Sequence, residues 1–273
     1  MATLQEAADR LSEMGDRRGL EEKLSGIETI DKDSTVREEQ LRKRVNTVKP
    51  GRVAGIDGGL VKKRYASGDL VAVRAVAAVL EFPGPEAEYI PSRSPEPDFH
   101  VFNSGDSRGL DRRAETERVR AEAGVTLDAV AEAEDIFVDG SIVPSYLEER
   151  EVLEKYEHLF DQVEEGALVG VVEDSHGLKL SQILEEKLGL ELGELRDTVI
   201  MDALLEEGER SFVRRYSDSP VEHPVLKKLD ERHANRVNTF HVKLSERDVP
   251  LRIDYYGKKE HADRIAGLLM SLK

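Results

Sequence analysis

Short apolar runs, each stopped by glycine or by a charge, punctuate this chain more often than long amphipathic stretches do. Residues 53–57 (VAGID), 70–82 (LVAVRAVAAVLEF), 135–143 and 167–172 (ALVGVV) read as strands of a buried sheet. The second, apolar on both sides except for Arg74, reads as a central strand. Further strands are predicted over 212–216, 239–244 and 250–256. Helical spacing predicts helices over 111–133, 145–160, 180–188, 195–206 and 259–272. Near the start, Leu4, Ala8, Leu11, Leu20, Leu24 and Ile27 keep helical intervals broken by Gly15 and Gly19, which predicts two short helices. Strands first, then strands alternating with helices, describe a mixed α/β sheet flanked by helices.

At 273 residues the chain is long enough for one principal domain with a smaller appendage. The division expected is an N-terminal helical segment over 1–48, capping the core or serving association, and a main domain over 49–273. Residues 83–98 hold five of the ten prolines and read as a loop inserted in that domain.

Composition narrows the chemistry. With no cysteine, thiol catalysis, disulfides and thiolate zinc sites are excluded, and any metal must be held by oxygen or histidine. No apolar run approaches the roughly 20 residues that span a membrane, and the first 18 residues lack an apolar signal core, which points to a cytoplasmic protein. Acidic residues outnumber basic ones 56 to 40, a net charge of −16, and the bases divide into 15 Lys and 25 Arg. An acidic, lysine-poor surface suits molar salt, where screening over about 3 Å makes self-repulsion tolerable, and a haloarchaeal source is expected. The same charge argues against an open basic patch that grips nucleic acid through counterion release.

Two carboxylates stand out, Asp57 in Gly55-Ile56-Asp57-Gly58-Gly59 and Asp139 in Phe137-Val138-Asp139-Gly140-Ser141. Each ends an apolar run, where an ionised side chain is costly unless a cation meets it, and each precedes a glycine that leaves room for a phosphate or a hydrated ion. Asp-Gly between apolar runs is also a hairpin signal, but the repetition of the arrangement favours a metal site. Two ions acting on a phosphodiester need at least a third carboxylate. On the helix over 111–133, one face carries Glu115, Val119, Glu122, Thr126 and Val130, so Glu122 is the third ligand expected, with Glu115 second and Glu117 a further alternative on the face of Ala121, Gly124 and Asp128. The seven histidines show no paired ligand spacing, and Ser141 and Ser175 have no neighbouring base. Arg214-Arg215 and Lys227-Lys228 read as solvated charge.

The order strand-Asp-Gly, long loop, helix with an inward Glu, strand-Asp-Gly-Ser resembles the NurA family of archaeal and bacterial DNA nucleases. GIDGG and FVDGS correspond to its two motifs and LVGVV to its next core strand, and Thr239-Phe240-His241-Val242-Lys243-Leu244 followed by Pro250-Leu251-Arg252-Ile253-Asp254 keeps the family order. The resemblance spans residues 52–256. It implies an RNase H-like fold and a manganese- or magnesium-dependent exonuclease and single-strand endonuclease with Asp57, Glu122 and Asp139 as catalytic metal ligands. It further implies a homodimer that acts with the hexameric ATPase HerA in DNA double-strand-break end resection. Two departures accompany it: Glu173 stands where relatives often carry lysine, and the family's Gly-Tyr-Pro segment with its histidine would follow Leu272-Lys273. The alternatives are a non-catalytic NurA-like subunit that binds HerA or DNA, and a phosphotransferase of the actin and sugar-kinase type. The latter also places Asp-x-Gly on a first strand but needs a late glycine-rich adenosine loop, and after Gly208 only Gly257 and Gly267 remain.

Overall fold

The computed structural model describes residues 17–83, 88–90, 96–103, 107–144, 147, 149–173, 177–193, 195–220 and 223–273. The first of the two expected N-terminal helices, most of the proline-rich stretch, Ser175 and His176 lie outside the described residues.

The strands are β1 (Arg42–Arg44), β2 (Arg52–Tyr65), β3 (Gly68–Glu81), β4 (Glu88–Ile90), β5 (Asp98–Phe102), β6 (Asp135–Asp139), β7 (Leu168–Val172), β8 (Glu209–Ser211), β9 (Arg214–Arg215), β10 (Val237–Lys243) and β11 (Leu251–Tyr256). The helices are α1 (Arg17–Leu24), α2 (Ser107–Val130), α3 (Arg150–Gln162), α4 (Lys179–Leu188), α5 (Asp197–Leu204), α6 (Glu231–Ala234) and α7 (Ala262–Leu272). Among the described residues the strands form one sheet in the order β1-β8-β10-β11-β7-β6-β2-β3-β4, with β5 also on β3 and β9 on β10. β3 runs antiparallel to β2, β4 and β5 antiparallel to β3, and β6 and β7 parallel to β2. Antiparallel strands followed by parallel ones on the other side of the first strand give the RNase H-like arrangement expected.

The sheet is covered on both sides. Ala54, Ile56 and Ile136 pack with Val119 and Ala123 of α2 and with Val152, Leu159 and Phe160 of α3. On the opposite side, Val169, Phe240, Ile253 and Tyr255 pack against Ile265, Ala266 and Leu269 of α7. A third apolar cluster joins Leu20 and Leu24 of α1 and Ile30, Val36 and Leu41 to α4 and α5.

Several expectations are redrawn. β3 is flanked on both sides, but from Val71 to Val79 only the odd-numbered residues are buried; Arg74 and Ala78 on the other side are exposed. Small residues made that side look like a core. The segment before residue 48 does more than cap or associate, because residues 42–44 pair with β8 and Phe212 N–H donates to the Leu41 carbonyl (3.1 Å). The expected proline-rich loop supplies β4 at the sheet edge. Of the strand expected over 212–216 only β9 forms, with β8 just ahead of it, and Arg214, expected in solvent, is 5% exposed.

Candidate active site

The site is built where β2 outlasts its parallel neighbour. Ile56 of β2 is in register with Val138 of β6, the last paired position of that ladder, so Asp57 and Asp139 follow side by side. The two Asp-Gly steps then behave differently. β2 continues straight through Asp57-Gly58-Gly59 to Tyr65, so the first is no hairpin turn. The second ends β6: Gly140 takes φ of +92°, a conformation that favours glycine, and its N–H donates to the Val171 carbonyl (2.8 Å). The chain then passes directly over Gly170, where a Cβ would meet the Gly140 carbonyl and lie 2.7 Å from the Ile142 nitrogen. Beyond the turn, the Ser141 hydroxyl accepts from Val143 N–H (3.2 Å) and is 3.3 Å from the Tyr216 hydroxyl.

Glu122 comes from α2 in the covering layer and meets β2 at Gly58, the residue after Asp57. Its carboxylate fills the space that a side chain at residue 58 would need. The residue is 7% exposed, and burial pushes its carboxyl up to about 7. Arg118 opposes that rise, whereas the charges of Glu115 and Asp57 add to it, so the Asp57 charge is felt at Glu122. Arg118 is held between the two helix acids, with Nε donating to Glu115 Oε2 (3.1 Å) and Nη1 to Glu122. Tyr156 of α3 lies beneath; burial, and then the negative charge of Glu122, push its hydroxyl upward.

The other acids of α2 lie elsewhere. Glu117 is also buried, but it pairs with Arg120 (3.1 Å) and approaches His100 of β5 (3.8 Å). Asp111 pairs with Lys62. Glu173 follows β7 and is exposed. The charges beyond β7 are less solvated than expected. Arg214 lies 3.8 Å from Asp197, Arg252 donates to Asp254 (3.1 Å), and burial together with Arg214 and Arg252 drives His241 well below the usual imidazole range. Lys227 and Lys228 are exposed as expected, and Lys228 donates to the Leu147 carbonyl (2.7 Å). Arg118, Tyr156 and Tyr216 carry no signal in the sequence that would have marked them.

Among the described residues no three Asp, Glu or His side chains are grouped closely enough to enclose an ion. The donor chemistry nevertheless suits a hard divalent cation: two exposed aspartates and a desolvated glutamate, all oxygen. The upward push on Glu122 comes first from burial, with the charges of Glu115 and Asp57 adding to it and Arg118 offsetting only part.

Such a mixed sheet, with two aspartates in neighbouring register where its central parallel strands part, places the chain in the RNase H-like α/β class. The chain matches the NurA domain over residues 51–272 and belongs to that family. It is similar in structure to the NurA nuclease from Sulfolobus solfataricus, at 15% identity and a TM-score of 0.60, over 99% of this chain and 87% of that one. It is also similar to a NurA structure bound to dAMP and manganese, at 11% identity and a TM-score of 0.56, over 99% and 87%. A third NurA structure aligns at 8% identity and a TM-score of 0.57, over 99% and 90%. No curated protein sequence matches the chain at a significant level. Among the described residues no helix is long and apolar enough to cross a membrane.

Proposed function

We propose that this chain is a metal-dependent DNA nuclease in which Asp57, Glu122 and Asp139 hold Mn²⁺ or Mg²⁺. The reading is supported by the placing of three acids along neighbouring elements: Asp57 and Asp139 in adjacent register, and Glu122 against Gly58, the residue after Asp57, with its carboxyl raised to about 7. A divalent ion bound there would supply Lewis acidity toward a phosphodiester and lower the pKa of a bound water. The protein's own contribution is position. β2 and β6 fix the two aspartates by register, Gly140 and Gly170 let the chain turn tightly after Asp139, and Gly58 admits Glu122. Arg118 draws Glu122 aside, so in this reading the glutamate exchanges a guanidinium for the ion when the site loads.

The setting we infer is exonuclease and single-strand endonuclease work in double-strand-break end resection, by a homodimer acting with a HerA-like hexameric ATPase. The family membership and the NurA structure bound to dAMP and manganese support it. The acidic, lysine-poor composition supports a haloarchaeal cytoplasm. The test is digestion of end-labelled single-stranded DNA with Mn²⁺. Products that appear only with metal and vanish with excess chelator bear the reading out. Intact DNA under every divalent metal would favour instead a non-catalytic DNA- or HerA-binding subunit, the reading that the Arg118–Glu122 pair favours.

A further inference from the structure

The side of β2 that carries Asp57 continues at every second residue through Val61, Lys63 and Tyr65. Register places Arg74 of β3 and then Phe99 and Val101 of β5 on the same side, opposite the layer in which Val71 and Val73 pack against Leu110 and Ala114 of α2. Val61 is 70% exposed, Tyr65 54%, Phe99 69% and Val101 78%, and among the described residues they are four of the six large hydrophobics left in solvent. These residues are therefore a patch rather than a scatter.

Its charge is as unusual as its apolarity. The chain has 56 acidic against 40 basic residues, yet this side bears exposed Lys63 and Arg74 and, past Asp57, no acid on the three strands out to Tyr65 and Phe99. The acids nearby point to the other side, where Asp111 pairs with Lys62 and Asp69 lies 3.7 Å from Arg64. Exposed rings beside an exposed lysine, with polyanion-repelling charge elsewhere, are what a base-stacking, phosphate-holding surface needs. At about 3.3 Å per residue, β2 carries the side roughly 26 Å from Asp57 to Tyr65, enough for several nucleotides.

We propose that this outer side of β2, β3 and β5 is a single-stranded DNA track leading to Asp57, with Tyr65 and Phe99 stacking on bases and Lys63 meeting phosphate. The proposal rests on the nuclease reading, but its test is read without cleavage. Fluorescence anisotropy of a labelled twelve-nucleotide oligo-dT would be followed with the full chain in excess chelator. Tyr65→Ala together with Phe99→Ala weakens binding at least tenfold, the scale of one lost base stack or more, whereas Tyr65→Phe binds as the unaltered chain does. Lys63→Glu weakens binding and flattens its salt dependence, while Lys62→Glu, the same charge change on the opposite side of the same strand, leaves it within twofold. Unaltered binding in the double variant overturns the track. If that variant instead lowers the sedimentation mass and keeps oligonucleotide binding, the patch is a contact between copies of the chain. Track-dependent binding by a protein that cuts no DNA with any metal would sink the nuclease reading and leave the track standing.

Discussion

The carboxylate of Glu122 lies where a side chain on Gly58 would have to be. One residue without a Cβ, placed next to Asp57, thereby lets a helix acid approach the sheet, and the second glycine of GIDGG has a steric reason. Gly58→Ala is therefore expected to push Glu122 outward. Overpacking of this kind costs about 1–3 kcal/mol, so thermal unfolding falls modestly while Mn²⁺-dependent cleavage drops at least tenfold. Full activity in the alanine variant would show that Glu122 need not approach Asp57.

Glu122 also sets a pH dependence. Its carboxyl lies at about 7 in the fold against an ordinary value of 4.5, so the folded state holds the proton more tightly than the unfolded chain. The stability it contributes is fully present below about pH 4.5 and is lost as pH rises through about 7, by about 3 kcal/mol at most. Denaturant titrations from pH 4 to 8 should show this decline. In Glu122→Gln, which keeps the shape and cannot ionise, that part of the decline should disappear.

Arg118 restrains the same group from the other side. Arg118→Met removes the cation beside a buried carboxylate, and the variant should lose about 1–3 kcal/mol at pH 7.5 and much less at pH 5, where Glu122 is protonated. Equal losses at both pH values, measured by urea unfolding, would detach Arg118 from the charge state of Glu122.

Away from the site, Asp135 at the start of β6 is buried and accepts from Arg264 of α7 (3.1 Å to Nη1), whose Nη2 also donates to the Gly166 carbonyl (3.1 Å). Arg264→Met should cost about 2 kcal/mol, below the full value for a buried pair because Arg264 is partly in solvent. Cleavage rates at saturating substrate should stay as they are. A large fall in rate without loss of stability would bring this end of the strands into the mechanism.

What the sequence disclosed follows from what is local. The phase of α2 put Glu122 with Val119 and Thr126, and all three are buried. Glu117 was placed on a different face and is buried as well, because β5 and the segment before α3 cover a second side of the helix, and nothing in the helix pattern encodes that. The strand character of 70–82 was plain, but which side faced solvent was not, since Ala72, Val76 and Ala78 look the same in a core and on an exposed strand. β1, β4 and β5 are three to five residues long and exist through pairing with distant partners. Arg214 reads as one more surface charge until β9 is seen to carry it beside Asp197.

The central claim is that Asp57, Glu122 and Asp139 together hold a divalent ion, and calorimetric titration of the metal-free protein with Mn²⁺ tests it most directly. At pH 6.5, run in buffers of different ionisation enthalpy, the titration should show binding with net proton release, since the proton on Glu122 must leave as the ion arrives. Asp57→Asn and Asp139→Asn should each weaken binding tenfold or more, and Glu122→Gln should abolish the proton release. Equal Mn²⁺ affinity in the unaltered chain and in all three variants would contradict the account.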